Sequence, residues 1–300
     1  MSDFLSSGWS YWITIITLGG AAFCLWLLFT QRSFLGKSPD MTDTGHEWDG
    51  ITEYNYPVPG WWTVMYLGLC VVGLGIMFLY PALGSNPGKV GYTSAKEVAA
   101  ERAAYLESLK PVYAKYEGQS IEQLAANPDA RKLGERLFLN NCSQCHGSDA
   151  KGSPNFPNLT DNDWLYGGAP ETILQTITEG RHGIMAPLAA VLSQEEANQV
   201  ANYVRSLSGL SSDPTLVPLG EAKFKQVCFA CHGADGKGNQ ALGAPNLTDN
   251  IWLNSSSRET IVKTILEGRS GTMPAQKNNL TPEQIKMLAA YVWGLSNVQK

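Results

Sequence analysis

Two stretches near the N-terminus stand apart from the mixed polar and apolar pattern of the rest of the chain. Residues 11–29, YWITIITLGGAAFCLWLLF, contain no charge, Pro, Asn or Gln. A helix over them reaches about 28 Å, close to the hydrocarbon thickness of a bilayer. Residues 61–80, WWTVMYLGLCVVGLGIMFLY, form a second such run, opened by two Trp and followed by Pro81. Aromatic ends suit the headgroup region, and Pro81 stops the helix. The runs predict two transmembrane helices, at about 11–29 and 61–80, within a membrane anchor at 1–85 whose two ends lie on one side of the bilayer. No basic residue precedes the first run and no small-x-small site follows it before Arg32, so it reads as a retained helix rather than a leader. Cys24 and Cys70 lie within the spans and read as small packing residues, not disulfide partners.

From Ser94 to about Tyr116 the pattern is that of an amphipathic helix, and Asn127-Pro128-Asp129 starts another. The chain then repeats itself. Cys142-Ser143-Gln144-Cys145-His146-Gly147 returns as Cys228-Phe229-Ala230-Cys231-His232-Gly233, and Gly134 and Phe138 return as Gly220 and Phe224. Further on, Pro157-Asn158-Leu159-Thr160-Asp161-Asn162 matches Pro245-Asn246-Leu247-Thr248-Asp249-Asn250, Trp164 matches Trp252, Glu179-Gly180-Arg181 matches Glu267-Gly268-Arg269, and Tyr203 matches Tyr291. Two copies of one small helical domain are predicted, at 86–208 (with a preceding helix) and 209–300. Gly134 with Phe138, and Gly220 with Phe224, predict a helix face that the last helix crosses closely through Tyr203 and Leu207, or Tyr291 and Leu295. Trp164 and Trp252 are expected to wall a crevice, and the loops at Asn158 and Asn246 to be held by local hydrogen bonds.

Composition refines this picture in one respect. The whole chain carries a net charge of −5 with 44% hydrophobic and 16% charged residues, which excludes a disordered chain and a nucleic-acid binder. Residues 1–80 hold only Arg32 and Lys37 as basic groups, while the charges beyond are nearly balanced, as on an ordinary soluble surface. A mean hydropathy of −0.14 therefore averages a membrane anchor with a soluble part.

Each copy carries Cys-x-x-Cys-His, the attachment signature of c-type haem. The paired thiols add across the two vinyl groups and the adjacent His becomes the proximal iron ligand. Zinc wants four ligands close in sequence, whereas Cys145 and Cys228 lie a whole domain apart. A thioredoxin-type motif leaves His146 and His232 without a role. Two covalently bound haem c groups are expected, on Cys142 and Cys145 and on Cys228 and Cys231. Met185 and Met273 align, each six residues after the Glu of Glu-Gly-Arg; His182 aligns with Ser270, and Met287 with Gln199. The iron ligands expected are therefore His146 and Met185 in the first copy, and His232 and Met273 in the second. His182 reads as a surface loop residue. Met ligation raises the potential and fills the sixth position, which suits electron transfer rather than oxygen or peroxide chemistry. No nucleotide loop or nucleophile constellation is present, so the chain reads as an electron relay with no catalytic residue of its own. Haem c is assembled on the outer face of the bacterial inner membrane. The haem domains and the N-terminus are thus expected in the periplasm, and residues 31–60 in the cytoplasm.

The segment before the second span, His46-Glu47-Trp48-Asp49-Gly50-Ile51-Thr52-Glu53-Tyr54-Asn55 with Pro57, Pro59 and Trp61-Trp62, resembles the D-G-I-x-E-x-x-x-P-x-P-x-W-W segment of the dihaem subunit III (CcoP) of cbb3-type cytochrome c oxidases. Gly60 stands where many members have a basic residue, and some members have a single span. With the repeat, the resemblance covers most of the chain. It implies an all-α fold: a two-helix transmembrane hairpin followed by two tandem class I cytochrome c-like haem domains. It also implies a place in a terminal oxidase. There the subunit takes electrons from a soluble periplasmic cytochrome c and passes them to a monohaem cytochrome c subunit. The haem–copper catalytic subunit, which reduces oxygen and pumps protons, receives them last. Two rival readings keep the repeat: a tethered dihaem shuttle serving a periplasmic dehydrogenase, and a dihaem peroxidase, which would need one displaceable haem ligand.

Overall fold

The computed structural model describes residues 8–31, 43–54 and 59–298. Arg32, Lys37, Asn55 and Pro57 lie outside the described residues. The chain divides into two compact units, Met1–Lys110 and Pro111–Lys300.

In the first unit, α1 (Gly8–Gln31) and α2 (Gly60–Leu79) are the two apolar helices. They are not core helices of a soluble domain, because almost nothing of either is buried within the protein. Trp12, Ile15, Val64 and Val71 are each more than half exposed, as lipid-facing side chains would be. The hydroxyl of Thr14 donates to the Leu83 carbonyl at 3.4 Å, and a Cβ added at Gly84 would strike Ser10. The start of α1 therefore lies beside the turn that follows α2, and the helices run antiparallel. Tyr80 caps α2 ahead of Pro81. Between the helices, β1 (Asp43–Trp48) pairs antiparallel with β2 (Ile51–Tyr54). Asp49 and Gly50 make the tight turn with φ of 52° and 84°, values that favour an Asp-Gly dipeptide. From its residues alone, Trp48–Trp62 with Pro57 and Pro59 reads as a Pro-stiffened loop leading to an interfacial helix, so the hairpin is a departure from that expectation.

The second unit is helical. The helix α3 (Ser94–Ala114) runs into it through Pro111, and α4 (Ile121–Ala126) follows a Ser120–Gln123 capping box. Asn127 caps α5 (Pro128–Asn141), as the Asn-Pro-Asp triplet predicts. The first copy continues with α6 (Ser143–His146), α7 (Pro170–Glu179), β3 (Arg181–Met185) and α8 (Gln194–Leu207). The second repeats this order with α9 (Val217–Val227), α10 (Phe229–His232), α11 (Arg258–Glu267), β4 (Arg269–Met273) and α12 (Pro282–Asn297). The chain is thus mostly helical, but not wholly so, because each unit contains a two-stranded ribbon.

The packing departs from the sequence copies. The last helix of the first copy, α8, packs on α9 and α11, whereas α12 packs on α4, α5 and α7. Phe138 meets Tyr291 with ring centroids 5.4 Å apart, and Phe224 meets Tyr203 at 5.3 Å. A Cβ at Gly134 would come 2.6 Å from Cβ of Tyr291, and one at Gly220 would run into the Gln199 carbonyl. The close Gly/Phe–Tyr crossings exist as expected, but each is made with the other copy's helix. Each globule of this unit is therefore built from both copies.

The strands β3 and β4 make the exchange possible. They pair antiparallel with Gly183 opposite Gly271, and Arg181 and Met185 opposite Met273 and Arg269. Equivalent residues of the two copies therefore sit symmetrically about the glycine pair, giving a local pseudo-twofold.

Candidate functional site

Each Cys-x-x-Cys-His forms a single helical turn at the end of a longer helix. Cys142 caps α5 and precedes α6; Cys228 caps α9 and precedes α10. Gly147 and Gly233 end these turns at φ of 78° and 77°, a conformation that suits glycine. The first Cys of each pair is half-buried and the second exposed, and all four thiols are free. Burial, and then the neighbouring thiol, raises Cys142 and Cys228 to about 11.

The two histidines are set alike. Nδ1 of His146 lies 3.1 Å from the Pro157 carbonyl, and Nδ1 of His232 lies 3.2 Å from that of Pro245. A carbonyl can only accept, so Nδ1–H donates and Nε2 keeps its lone pair. Burial lowers both histidines, against the raising effect of that bond, and favours the neutral ring. A neutral imidazole oriented through Nδ1 is the form a metal binds. The Pro carbonyls are fixed by Asx turns: Asn158 accepts from the Thr160 amide and hydroxyl at 2.9 and 2.7 Å, and Asn246 from those of Thr248 at 3.0 and 2.8 Å. These loops are held as the sequence pattern predicts.

Met185 and Met273 end β3 and β4, each half-buried. Met185 packs against a core made of α8, α9 and α11, together with Cys228, Leu247 and Trp252. Met185 and Cys228, of the second motif, pack against that same core. The Met185 loop is tied there by the Leu188 amide, which donates to Ile265 at 3.0 Å. The Met273 loop is tied to the first copy, where the Gln276 amide donates to Ile177 at 3.0 Å. A Cβ at Gly180, after α7, would collide with the Met273 carbonyl. The ribbon thus ties the loop that follows each Met to a helix of the other copy.

Further residues support the ribbon. Arg181 Nε donates to Thr176 Oγ1 and Arg269 Nε to Thr264 Oγ1, both at 2.9 Å. The repeated Thr-x-x-Glu-Gly-Arg was the signal that could have found them. Exposed His182 lies 2.8 Å from Thr272 Oγ1, a cross-strand contact. The loops of the two copies also meet: Gln240 donates to the Trp164 carbonyl at 3.2 Å, and the Asn155 amide to Leu253 at 3.4 Å. Burial first, then Asp249 of the other copy, raises Asp163 where they meet.

A haem fits this donor set. Trp252 lines the core beside Cys228 and Met185, and its indole N–H is buried without an acceptor. Such a donor costs about 1–3 kcal/mol unpaired, and an acceptor on a bound group would satisfy it. Among the described residues no three His, Cys, Asp or Glu side chains converge as a metal site.

Neutral, pre-oriented histidines beside paired thiols, duplicated behind two membrane-length helices, define a membrane-associated electron-transport protein of the cytochrome c type. The sequence profile described as the N-terminal domain of cytochrome oxidase-cbb3, FixP, matches residues 40–87. That of cytochrome c oxidase, cbb3-type, subunit III, matches residues 129–204 and 216–292. The chain is 48% identical over 298 residues to the cbb3-type cytochrome c oxidase subunit CcoP of Rubrivivax gelatinosus, covering 99% of this chain and 97% of that one. It is 42% identical over 285 residues to subunit FixP of Bradyrhizobium diazoefficiens (89% and 98% covered). With CcoP of Cereibacter sphaeroides it shares 37% over 278 residues (86% and 96%). The chain belongs to the CcoP/FixP family, subunit III of cbb3-type cytochrome c oxidases, and is an electron-transfer subunit of that terminal oxidase.

Proposed function

We propose that this chain holds two haem c groups and relays electrons from a soluble periplasmic cytochrome c to the monohaem and catalytic subunits of the oxidase. The carrying observation is the duplicated histidine geometry, with Nδ1 committed to a proline carbonyl 3.1 and 3.2 Å away and Nε2 left free. Bound haem c supplies a one-electron iron couple, which a Met ligand shifts to higher potential. Cys142 and Cys145, and Cys228 and Cys231, anchor the groups covalently; His146 and His232 are the proximal ligands.

For the sixth ligands the packing supports an exchanged pairing, with Met185 serving beside His232 and Met273 beside His146. The position of Met185 in the core that holds Cys228 supports it, and so does the symmetry of β3 and β4 about Gly183 and Gly271. The two tandem copies are then cytochrome c-like in sequence and cross-built in space. Two antiparallel membrane-length helices support a multi-pass inner-membrane anchor. With haem c attached on the periplasmic side, residues 31–60 face the cytoplasm.

The experiment removes one attachment site. With Cys142→Ala and Cys145→Ala the chain should keep one covalent haem after denaturation and one near-infrared Met–iron band. In that background Met185→Leu should abolish the band and Met273→Leu should leave it. The opposite result restores pairing within each copy, and absence of any covalent haem from the parent chain overturns the whole reading.

A further inference from the structure

The hairpin β1–β2 is solvent-exposed at every residue from Asp43 to Tyr54. Trp48 is 66% exposed and Ile51 72%. A lone two-stranded hairpin is marginally stable at best in water and needs a third strand or a covering surface. Here the pairing sets Trp48 opposite Ile51 beside the turn. Two residues further along each strand, where the ladder shifts register between Asp43 and Glu47, His46 and Glu53 approach to 3.7 Å. Trp48 and Ile51 form a compact apolar patch bordered by a polar pair, the layout of an interface anchor with its rim.

Position and charge select what covers it. Tyr54 precedes the first residue of α2, Gly60, by six residues, so the hairpin is tethered within about 20 Å of the membrane entry. Residues 43–54 carry Asp43, Glu47, Asp49 and Glu53 and no Lys or Arg. Four carboxylates are repelled by the anionic lipid surface of the cytoplasmic leaflet. Cytoplasmic loops of integral membrane proteins, by contrast, are enriched in Lys and Arg.

We propose that β1–β2 is a docking element that lays its Trp48/Ile51 face on a basic, membrane-proximal loop of an integral subunit of the oxidase, with the hairpin carboxylates paired to that loop's Lys and Arg. The proposal rests on the cytoplasmic placement of residues 31–60 argued above. It gives the hairpin the covering surface it lacks and fixes the loop between the two spans to the complex rather than to lipid.

The test uses the full chain with its own oxidase subunits. A photoreactive benzoylphenylalanine replacing Ile51, irradiated in native membranes, should form an adduct with an integral oxidase subunit. In parallel, Trp48→Ser with Ile51→Ser should lower the chain's recovery with a tagged catalytic subunit about fivefold or more. The amount of the chain in membranes and its covalent haem stain should not change. Adducts with lipid alone, no adduct, or full recovery of the double variant overturn the proposal. Labelling of a Thr52→Cys chain by an impermeant thiol reagent from the periplasmic side overturns it as well, by removing the cytoplasmic placement. The haem stain separates the two readings: an adduct formed by a chain without covalent haem defeats the electron-relay reading, and the docking one then stands only if the Thr52→Cys chain resists the impermeant reagent from the periplasmic side.

Discussion

Glu196, at the third position of α8, does two things at once. It accepts from the Ser193 amide at 2.9 Å in a capping box, and from Lys223 Nζ on α9 at 2.6 Å. The hydrogen bond from Lys223, followed by those from Ser193, lowers it from 4.5 to about 2. A carboxyl group depressed in the folded state stabilises that state fully above its unfolded value, and the contribution is lost as pH falls through the folded one. The second copy carries Gln284 at the equivalent place, capping α12 with no charge. Glu196→Gln should therefore keep the cap and lose the ion pair. In thermal unfolding it should be less stable than the parent at pH 7. The gap should close as pH falls from about 4.5 towards 2; a gap independent of pH would mean that Lys223 contributes nothing.

Among the elements, the two crossings without a side chain in the way are the sensitive points. At Gly220 a Cβ would drive into the Gln199 carbonyl and the Tyr203 side chain, and at Gly134 it would come 2.6 Å from Tyr291 Cβ and 2.8 Å from the Met287 carbonyl. Alanine raises helix propensity by about 1 kcal/mol, but here backbone must move. Gly220→Ala should thus cost about 1–3 kcal/mol net, with Gly134→Ala milder, as read by denaturant unfolding. The glycine–aromatic pattern was legible because it marks a close crossing whichever helix does the crossing. The partner was not, since both copies carry the same Gly, Phe and Tyr and either last helix satisfies either face. The ribbon was hidden for another reason: Arg181–Met185 and Arg269–Met273 are five residues each, too short for alternation to show, and they become strands only by pairing across copies. The β1–β2 hairpin did carry a signal, Asp49-Gly50 between Trp48 and Ile51, but the nearby prolines made the whole segment read as loop. The membrane helices, the Cys-x-x-Cys-His turns and the Asx-held loops were readable because each is fixed by local chemistry.

Over Pro111–Lys300 as a whole, the exchange changes what a folding unit is. The core around Phe224 takes α8 from the first copy and α9 and α11 from the second, and the one around Phe138 takes α5 and α7 from the first and α12 from the second. Unfolding either copy strips a helix from both globules and exposes Phe138 and Phe224, which are fully buried. Two independent cytochrome c-like domains would melt separately; cross-built ones cannot, because neither globule keeps a complete core without the other. A haem-loaded fragment of residues 111–300 should therefore unfold in one transition, with far-UV circular dichroism and hydrogen exchange of α8 and α12 reporting the same midpoint. Gly220→Ala, a change in one globule only, should move the midpoint of both helices together. Two separated transitions, or protection in α12 that persists after α8 has exchanged, would show that the copies fold apart and that the crossed helices contribute little to either core.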